Sequence, residues 1–489
     1  MRYEVIIIGG GLGGLICGAV LSRAGKSVLV LERGLQAGGC IQSYQRGGLK
    51  YDTGFHYVGG LREGQSLNPF FKYLGLTTLP WHQLDRDGFD HVMIGGRNFL
   101  IAAGFDTFVK TMSEEFPEEK SGLQQYAEIL RMCTGQESKH RHSIHQGPAT
   151  IESLMQIGAY QYLTQTFRDP LLINVLSGNS IKMELRRDTL PLFTFAHCNA
   201  PYIESSWRLK GDGGMIVRKL VDTILSNGGE VKCRADVAEL EVSAGRIKLA
   251  KLQNGAIYEG HSFVSSLHPV MTCSLVKSGL KNTFRQRVEG LENTIGMLTV
   301  SLRMKPQRVP YFNYNQYVYR KPNVWTHTED VGGIGGVMVS CRVPERGLWA
   351  EQIDLITPIS WQSCEPWSNT TTGHRPMSYE RMKRKLADEC ILLAERFIPE
   401  LSYKYDRRYI STPLTYRDYT ATPLGSAYGI RKDFHNPVMT MLSPRTPIPN
   451  LYLTGQSLML HGVQGVTETA FETCSELLGK EYIDKILKL

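Results

Sequence analysis

The sequence lacks several features that mark large protein classes. None of its ten cysteines forms a C-x-x-C pair, the spacing of many zinc and dithiol sites. The cysteines lie scattered in apolar surroundings, as Cys17 and Cys474 do, so we expect them to be reduced and buried. The nucleophile turn G-x-S-x-G of many hydrolases is also missing. These absences argue against zinc-site, dithiol and serine-hydrolase chemistry.

Long apolar runs and a block of basic residues are missing as well. Glycine or charge interrupts the apolar stretches well short of the roughly 20 residues that a spanning helix needs. The chain begins MRYEVIIIGGG, without the basic segment and cleavage site of a secretory signal. The net charge of +8 is small for 489 residues, so no nucleic-acid partner is expected. We expect a cytoplasmic protein whose mild charge allows peripheral contact with a membrane.

One tract, KHRHSIH at 139–145, is rich in histidine, a frequent metal ligand. Its lysine and arginine would repel a cation, and its polar surroundings are typical of a solvated connection between helices. We therefore expect no metal site.

What the sequence does contain begins with a glycine turn near the N-terminus. Residues 3–8 (YEVIII) form the apolar run of a strand that is buried on both faces. Gly9, Gly11 and Gly14 follow as G-x-G-x-x-G and open a helix. In such a unit the first glycine permits the tight turn, the second lets backbone N–H groups approach a pyrophosphate, and the third lets helix and strand pack closely. We expect Leu12 and Gly13 to contact the cofactor as well.

A second strand and an acidic residue complete this unit. The apolar run 27–31 (SVLVL) ends in Glu32, 18 residues beyond Gly14, where a carboxylate can accept hydrogen bonds from both ribose hydroxyls. Arg33 is the next predicted cofactor contact. Strand, glycine turn, helix, strand and acid occur in this order within about 30 residues, which predicts a Rossmann-like dinucleotide site.

FAD is the predicted dinucleotide. Gly38 and Gly39 add a second glycine pair, which resembles the extension found in large flavoproteins of the amine oxidase and carotenoid desaturase superfamily. A separate NAD(P)H domain would need a second strand, G-x-G-x-x-G and helix. The one candidate, the glycine-rich run 332–336, precedes the strand-like VMVSCRV and is predicted to be a turn.

Further along, the chain resembles the retinol saturase, phytoene desaturase and carotenoid isomerase family. LKYDTGFHYVGGL (49–61), which contains Gly54, is similar to that family's D-T-G-x-H-Y-x-G stretch. Later stretches of the chain agree too, namely 207–242, 256–269, 411–429 and 449–466. The resemblance implies that the backbone of Val237 contacts the adenine.

The resemblance also implies an α/β fold with two interleaved domains. A Rossmann-like FAD-binding domain would comprise 1–75, 205–290 and 415–489, and an α+β substrate domain 76–204 and 291–414. Within the latter, alternation predicts strands at 296–304, 315–320 and 336–343, and a helical repeat of apolar residues predicts a helix over 378–398. The charged face of that helix is predicted to be solvated.

The C-terminal stretch LYLTGQSLMLHGVQGV (451–466) would be the second half of the FAD site. Its strand would end at Gly455 and Gln456, whose neutral amide can bond the ribityl or phosphate oxygens. Gly465 and Val466 would present backbone N–H groups to the flavin at the start of the last helix. The resemblance carries these four assignments.

Flavin would supply hydride chemistry, so the protein mainly has to orient the substrate and move a proton. The candidate proton-transfer residues are His56, Tyr57, Tyr428 and His461. For His56 a hydrogen bond to backbone or FAD is an alternative, and for Tyr428 packing against the cofactor. His461 has no carboxylate neighbour in sequence, but its glycine-flanked turn should lie at the isoalloxazine end.

The family indicates a lipophilic polyene or isoprenoid substrate, saturated or desaturated by hydride transfer. The apolar stretches 151–167 and 170–178 can equally be core helices, a tunnel wall or a membrane-contacting patch. Alternatives are a flavin-dependent double-bond isomerase, a non-catalytic lipid carrier with structural FAD, and an amine oxidase relative. The missing nicotinamide domain favours a diffusing electron donor or a quinone, whose identity the sequence leaves open.

Overall fold

A computed structural model describes residues 2–135, 150–328 and 333–488. The histidine-rich tract at 139–145 lies outside these residues. Within them the strands are, in chain order, β1 (Arg2–Ile8), β2 (Val28–Leu31), β3 (Ser43–Arg46), β4 (Leu49–Asp52), β5 (Val58–Gly59), β6 (Trp81–Gln83), β7 (Asp90–Ile94), β8 (Arg97–Ile101), β9 (Ser206–Leu209), β10 (Glu230–Lys232), β11 (Val237–Ser243), β12 (Arg246–Leu252), β13 (Ile257–Ser265), β14 (Gly296–Met304), β15 (Asn315–Tyr319), β16 (Gly336–Cys341), β17 (Gln352–Ile359), β18 (Tyr405–Ser411) and β19 (Leu451–Leu453).

The α-helices of the same ranges connect and cover these strands. They are α1 (Leu12–Arg23), α2 (Asn68–Leu74), α3 (Phe105–Glu115), α4 (Lys120–Cys133), α5 (Ile151–Met155), α6 (Ala159–Thr166), α7 (Pro170–Ser177), α8 (Leu192–Glu204), α9 (Gly214–Ser226), α10 (Pro269–Leu275), α11 (Asn282–Glu289), α12 (Met377–Ala394), α13 (Leu401–Lys404), α14 (Pro413–Thr420), α15 (Pro437–Thr440), α16 (Gly462–Leu478) and α17 (Lys480–Leu487). No helix in the described part of the chain is both long and apolar enough to cross a membrane.

The first of two seven-stranded sheets has the order β10-β2-β1-β13-β12-β11, with β19 paired to β13. The pairs β1–β2, β1–β13, β2–β10 and β13–β19 are parallel. Ile7 lies opposite both Val30 and Val264, and all three are fully buried, as the continuous apolar runs predict. Because parallel strands end at the same edge, this sheet collects the turns after β1, β2, β13 and β19 there.

The second sheet has the order β18-β14-β17-β16-β15-β7-β8 and is antiparallel except between β15 and β7. The predicted strands at 296–304, 315–320 and 336–343 appear as β14, β15 and β16, and the predicted helix appears as α12. The predicted turn at 332–336 leads into β16, although Gly332 lies outside the described residues.

The strands of each sheet come from different parts of the chain. Every strand of the first sheet lies within 1–75, 205–290 or 415–489, and every strand of the second lies within 76–204 or 291–414. The three-stranded sheet β5-β9-β6 joins the two sets, since β6 pairs with β9. We retain the predicted domain boundaries as a proposal on this basis.

Candidate functional site

The N-terminal glycine turn is packed as tightly as its spacing predicts. Gly9 has a φ of +93°, a value that favours glycine. A Cβ added to Gly14 would lie 2.1 Å from the carbonyl oxygen of Gly9, so no larger residue fits there. Gly11 has open space instead, because its Cβ would meet only the Ser266 hydroxyl, at 4.0 Å. Since Gly11 also precedes α1 without a side-chain cap, the first N–H groups of this helix are available to an anion.

Glu32 closes this turn through the backbone. One carboxylate oxygen accepts a hydrogen bond from the N–H of Gly10 at 2.8 Å, and the other accepts one from Gly34 at 2.6 Å. A carboxylate offers about four lone-pair positions, so two backbone bonds leave capacity for two ribose hydroxyls. Arg33 is exposed and donates to the carbonyl of Asp418 at 3.1 Å.

The second glycine pair lies against the first turn. The N–H of Gly38 donates to the carbonyl of Gly10 at 2.7 Å, and a Cβ on Gly39 would lie 3.1 Å from the Cα of Gly11. Gly54 is adjacent, since its Cβ would lie 3.2 Å from the carbonyl oxygen of Cys40. The glycines that the sequence separates by up to 45 residues therefore form one surface.

The C-terminal turn joins the same surface. A Cβ on Gly13 would lie 3.2 Å from the Cα of Gly455, so the first helix and the turn after β19 are in direct contact. Gln456 follows in this turn and is partly buried. Gly465 and Val466 lie buried in the first turns of α16, which packs against α1. The two ends of the chain thus contribute to one site.

Val237 lies beside the other end of this site. The N–H of Ala235 donates to the carbonyl of Glu32 at 2.8 Å, and the chain continues directly into β11, which begins at Val237. The segment before Val237 therefore runs next to the acidic residue that is predicted to bind ribose. Its contact with adenine stays a prediction.

A cavity opens next to the C-terminal half of this surface, between α8 and the start of α16. Lys182, His197, Cys198, Tyr202, His461 and Gly465 are among its lining residues. Gly465 therefore belongs to both the predicted cofactor site and the cavity. The other residues place several titratable groups beside the predicted flavin position.

His461 and Tyr428, two predicted proton-transfer residues, lie together. Their rings are 4.5 Å apart between centroids. The Nε2–H of His461 donates to the carbonyl of Lys182 at 3.1 Å, and the hydroxyl of Tyr428 donates to the carbonyl of Ile181 at 2.6 Å. Burial lowers the pKa of His461 to about 4 and raises that of Tyr428 well above its usual value. At neutral pH both residues are uncharged and hold neighbouring backbone carbonyls.

His461 is expected to stay neutral over the physiological range. Its lowered pKa places half-protonation near pH 4, well below the usual value of His. We expect its ring carbon signals, in a spectrum of protein carrying ¹³C-labelled histidine, not to shift between about pH 5.5 and 8.5. An H461N variant identifies the signal by its loss. A midpoint near the usual value of His would contradict the buried, carbonyl-bound state.

His56 and Tyr57 face different surroundings although they are adjacent. Burial lowers the pKa of His56 to about 4, and the charges of Asp354, Arg342 and Arg208 act on it. The hydroxyl of Tyr57 instead donates to Asp90 at 3.0 Å, inside the core. The structure therefore brings His461 and Tyr428 together but places His56 towards the second sheet. The catalytic roles of all these residues stay predictions.

Sequence reasoning missed Lys182 and the groups around it. The ammonium of Lys182 donates to the carbonyl of Asn179 at 3.0 Å and lies 4.8 Å from the centre of the Tyr202 ring. Burial lowers its pKa to about 8, against the opposing effect of the Asp90 carboxylate. No motif surrounds Lys182 in the sequence, so only the fold reveals that it lines the cavity.

His197 was also missed, and it forms an ion pair beside the same cavity. Its Nε2 lies 3.0 Å from a carboxylate oxygen of Glu468 on α16. Burial disfavours the charged ring, but Glu468, together with Glu204 and the backbone of Cys133, outweighs burial and raises the pKa of His197. Among the described residues, no group of three or more His, Cys, Asp or Glu side chains is placed to hold a metal ion.

Comparisons with known proteins agree with this geometry. Residues 7–74 match the family described as an NAD(P)-binding Rossmann-like domain. The all-trans-retinol 13,14-reductase of Macaca fascicularis is 24% identical, over 100% of this chain and 87% of that protein. An inactive all-trans-retinol 13,14-reductase of Danio rerio is 23% identical over 100% of this chain and 88% of its own length. The chloroplastic prolycopene isomerase of Daucus carota is 23% identical over 96% and 78%.

A solved structure extends the agreement to the fold. An oxidoreductase from Methanosarcina mazei superposes with a TM-score of 0.67 at 15% identity, covering 97% of this chain and 100% of that one. The α/β, Rossmann-like fold class is confirmed, and so is the resemblance to the retinol saturase and carotenoid isomerase group. The Rossmann-like match is consistent with a dinucleotide cofactor.

Proposed function

We propose that this chain is an FAD-dependent oxidoreductase that acts on C–C or C=C bonds of a lipophilic polyene or isoprenoid. The observation that carries the proposal is the contact between Gly13 and Gly455, which builds one glycine surface from both ends of the chain beside a cavity. The names of the relatives, a retinol reductase and a prolycopene isomerase, supply the substrate class.

The residues present fit an FAD. Gly11 leaves room for a pyrophosphate next to the uncapped start of α1, and Glu32 has lone pairs left for ribose. Gly465 and Val466 would hold the flavin ring from the start of α16. When bound, the flavin supplies or accepts the hydride. The chain itself orients the polyene, limits access of water and moves one proton.

Redox-neutral isomerisation of a double bond is the second candidate function, and the similarity to the carrot prolycopene isomerase favours it. A non-catalytic lipid carrier with structural FAD is the third, and the similarity to an inactive zebrafish reductase favours that one. We place the protein in the cytoplasm in peripheral contact with a membrane, from which it would collect its substrate.

A spectrum and a mixing experiment separate these functions. The purified protein, reconstituted with FAD if necessary, should show the visible absorption of a bound flavin. After reduction with dithionite, it is mixed anaerobically with all-trans-retinol or prolycopene. Reoxidation with formation of a saturated product supports the oxidoreductase, isomerisation without reoxidation supports the isomerase, and binding without either supports the carrier. Failure to bind FAD under any condition would contradict all three.

A further inference from the structure

We propose that Lys182 transfers the proton to or from the substrate carbon, and that Tyr428 and His461 are positioning residues that hold the Lys182 backbone. The inference rests on the proposed function. It changes the roles predicted from the sequence, because it takes the proton step away from the two aromatic side chains.

The hydrogen bonds around residues 181 and 182 carry the assignment. Tyr428 and His461 come from separate segments, yet they donate to the consecutive carbonyls of Ile181 and Lys182, at 2.6 and 3.1 Å. The Nε2–H of His461 is used in its bond. Both donors therefore fix the backbone from which the Lys182 side chain reaches the cavity.

The surroundings of the Lys182 ammonium leave it able to donate a proton. It has three N–H groups, of which one bonds the Asn179 carbonyl, and the face of the Tyr202 ring lies 4.8 Å away. Hydrogen bonds from Tyr57, Asn179 and Asn315 fix the Asp90 carboxylate, whose charge favours the ammonium form. Titratable groups that face Lys182 or the cavity around it are Asp90, Tyr57, His197, Cys198, Tyr202 and His461.

Burial makes the Lys182 side chain a suitable proton donor and acceptor near neutral pH. The pKa of Lys182 is lowered to about 8, so the ammonium and the free amine are both available near neutral pH. His197 is a weaker candidate, because its Nε2 already faces the Glu468 carboxylate at 3.0 Å. His461 is neutral and engaged with a carbonyl, so it has no proton to release at this pH.

In the reducing direction, a C=C bond of the substrate gains one hydride and one proton. With a two-electron-reduced flavin as the source of a hydride for one carbon of the C=C bond, the Lys182 ammonium would give a proton to the neighbouring carbon. The π bond, one Lys182 N–H bond and the bond that held the hydride on the reduced flavin would break, two C–H bonds would form, and the flavin would be left oxidised. The free amine would then take a proton from water. In the oxidising direction the free amine of Lys182 would accept the proton, while the hydride from the other carbon would pass to oxidised flavin and the C=C bond would form.

The first test needs no bound cofactor. Wild-type protein is labelled briefly with acetic anhydride at a series of pH values, and the modification of each lysine is measured by mass spectrometry of peptides. We expect half-maximal labelling of Lys182 near pH 8, well below the value of an ordinary lysine. A midpoint for Lys182 at the value of an ordinary lysine would overturn the inference.

The second test follows substrate-driven reoxidation of the dithionite-reduced holoenzyme against pH. We expect the wild-type rate to fall as pH rises through about 8, because the ammonium is the acid form. K182M should reoxidise about 100-fold more slowly, and its rate should no longer fall as the pH rises through about 8. K182R should keep a charged group, and the fall in its rate should move to higher pH. The matched variant K248M should show the wild-type rate and the wild-type pH profile. Y428F and H461N should shift the Lys182 labelling midpoint.

The outcomes separate the role of Lys182 from the proposed function. K182M that reoxidises within about threefold of the wild type, with the same pH limb, overturns the role of Lys182 while the proposed function stands. A wild type that binds flavin but never turns over a polyene overturns the oxidoreductase proposal and the proton role with it. Should K182M fail to fold, the pH profile of K182R and the labelling of the wild type still test the role of Lys182.

Discussion

Replacing Gly14 by alanine is expected to destabilise the protein by about 3 kcal/mol or more. The new Cβ would lie 2.1 Å from the carbonyl oxygen of Gly9, a backbone atom that the Ser266 hydroxyl holds at 2.9 Å. The carbonyl therefore cannot turn away without breaking the contact between β1 and the turn after β13. The change should appear as a lower urea midpoint and a smaller soluble yield.

Gly11→Ala is the matched control for this prediction. Gly11 has a φ of −71°, and its Cβ would have only the Ser266 hydroxyl within reach, at 4.0 Å. We expect a free energy of unfolding within about 0.5 kcal/mol of the wild type. FAD affinity should nevertheless fall about 100-fold, because the methyl group fills the space proposed for the pyrophosphate. A stable G14A would contradict the packing described, and a G11A with wild-type FAD affinity would contradict the cofactor site.

The N-terminal half of the site was predictable because its parts are local. Strand, glycine turn, helix and Glu32 follow one another within about 30 residues, and each has a recognisable backbone requirement. The distant half at Gly455 came only from resemblance, since its contact with Gly13 depends on β19 joining the first sheet beside β13. A short strand such as β19 carries little periodic signal of its own.

The cavity was predicted less well, for two physical reasons. Lys182 precedes α8 in a stretch without a motif, and it approaches Asp90, 92 positions earlier, only because the fold brings β7 close. His56 and Tyr57 directly precede the short strand β5, and the charges of Asp354 and Arg342 act on His56 whereas Tyr57 donates to Asp90. The sequence indicated both residues as candidates but could not tell which of them would face the core.

Glu32→Ala is expected to reduce FAD affinity about 1,000-fold, or roughly 4 kcal/mol. The variant loses the acceptors of the Gly10 and Gly34 N–H groups, at 2.8 and 2.6 Å, together with the lone pairs proposed for ribose. Glu32→Gln should bind almost as weakly, because its NH₂ group would face one of the two N–H donors.

Calorimetric titration of the apoprotein with FAD measures this effect. Glu118→Gln, at an exposed carboxylate away from the glycine surface, is the matched control and should bind as the wild type does. A change confined to the unfolding midpoint, with wild-type affinity in both Glu32 variants, would mean that Glu32 holds the backbone turn but does not contact the cofactor. Equal losses in E32A and E32Q instead identify the second carboxylate oxygen as essential, since glutamine keeps only one acceptor.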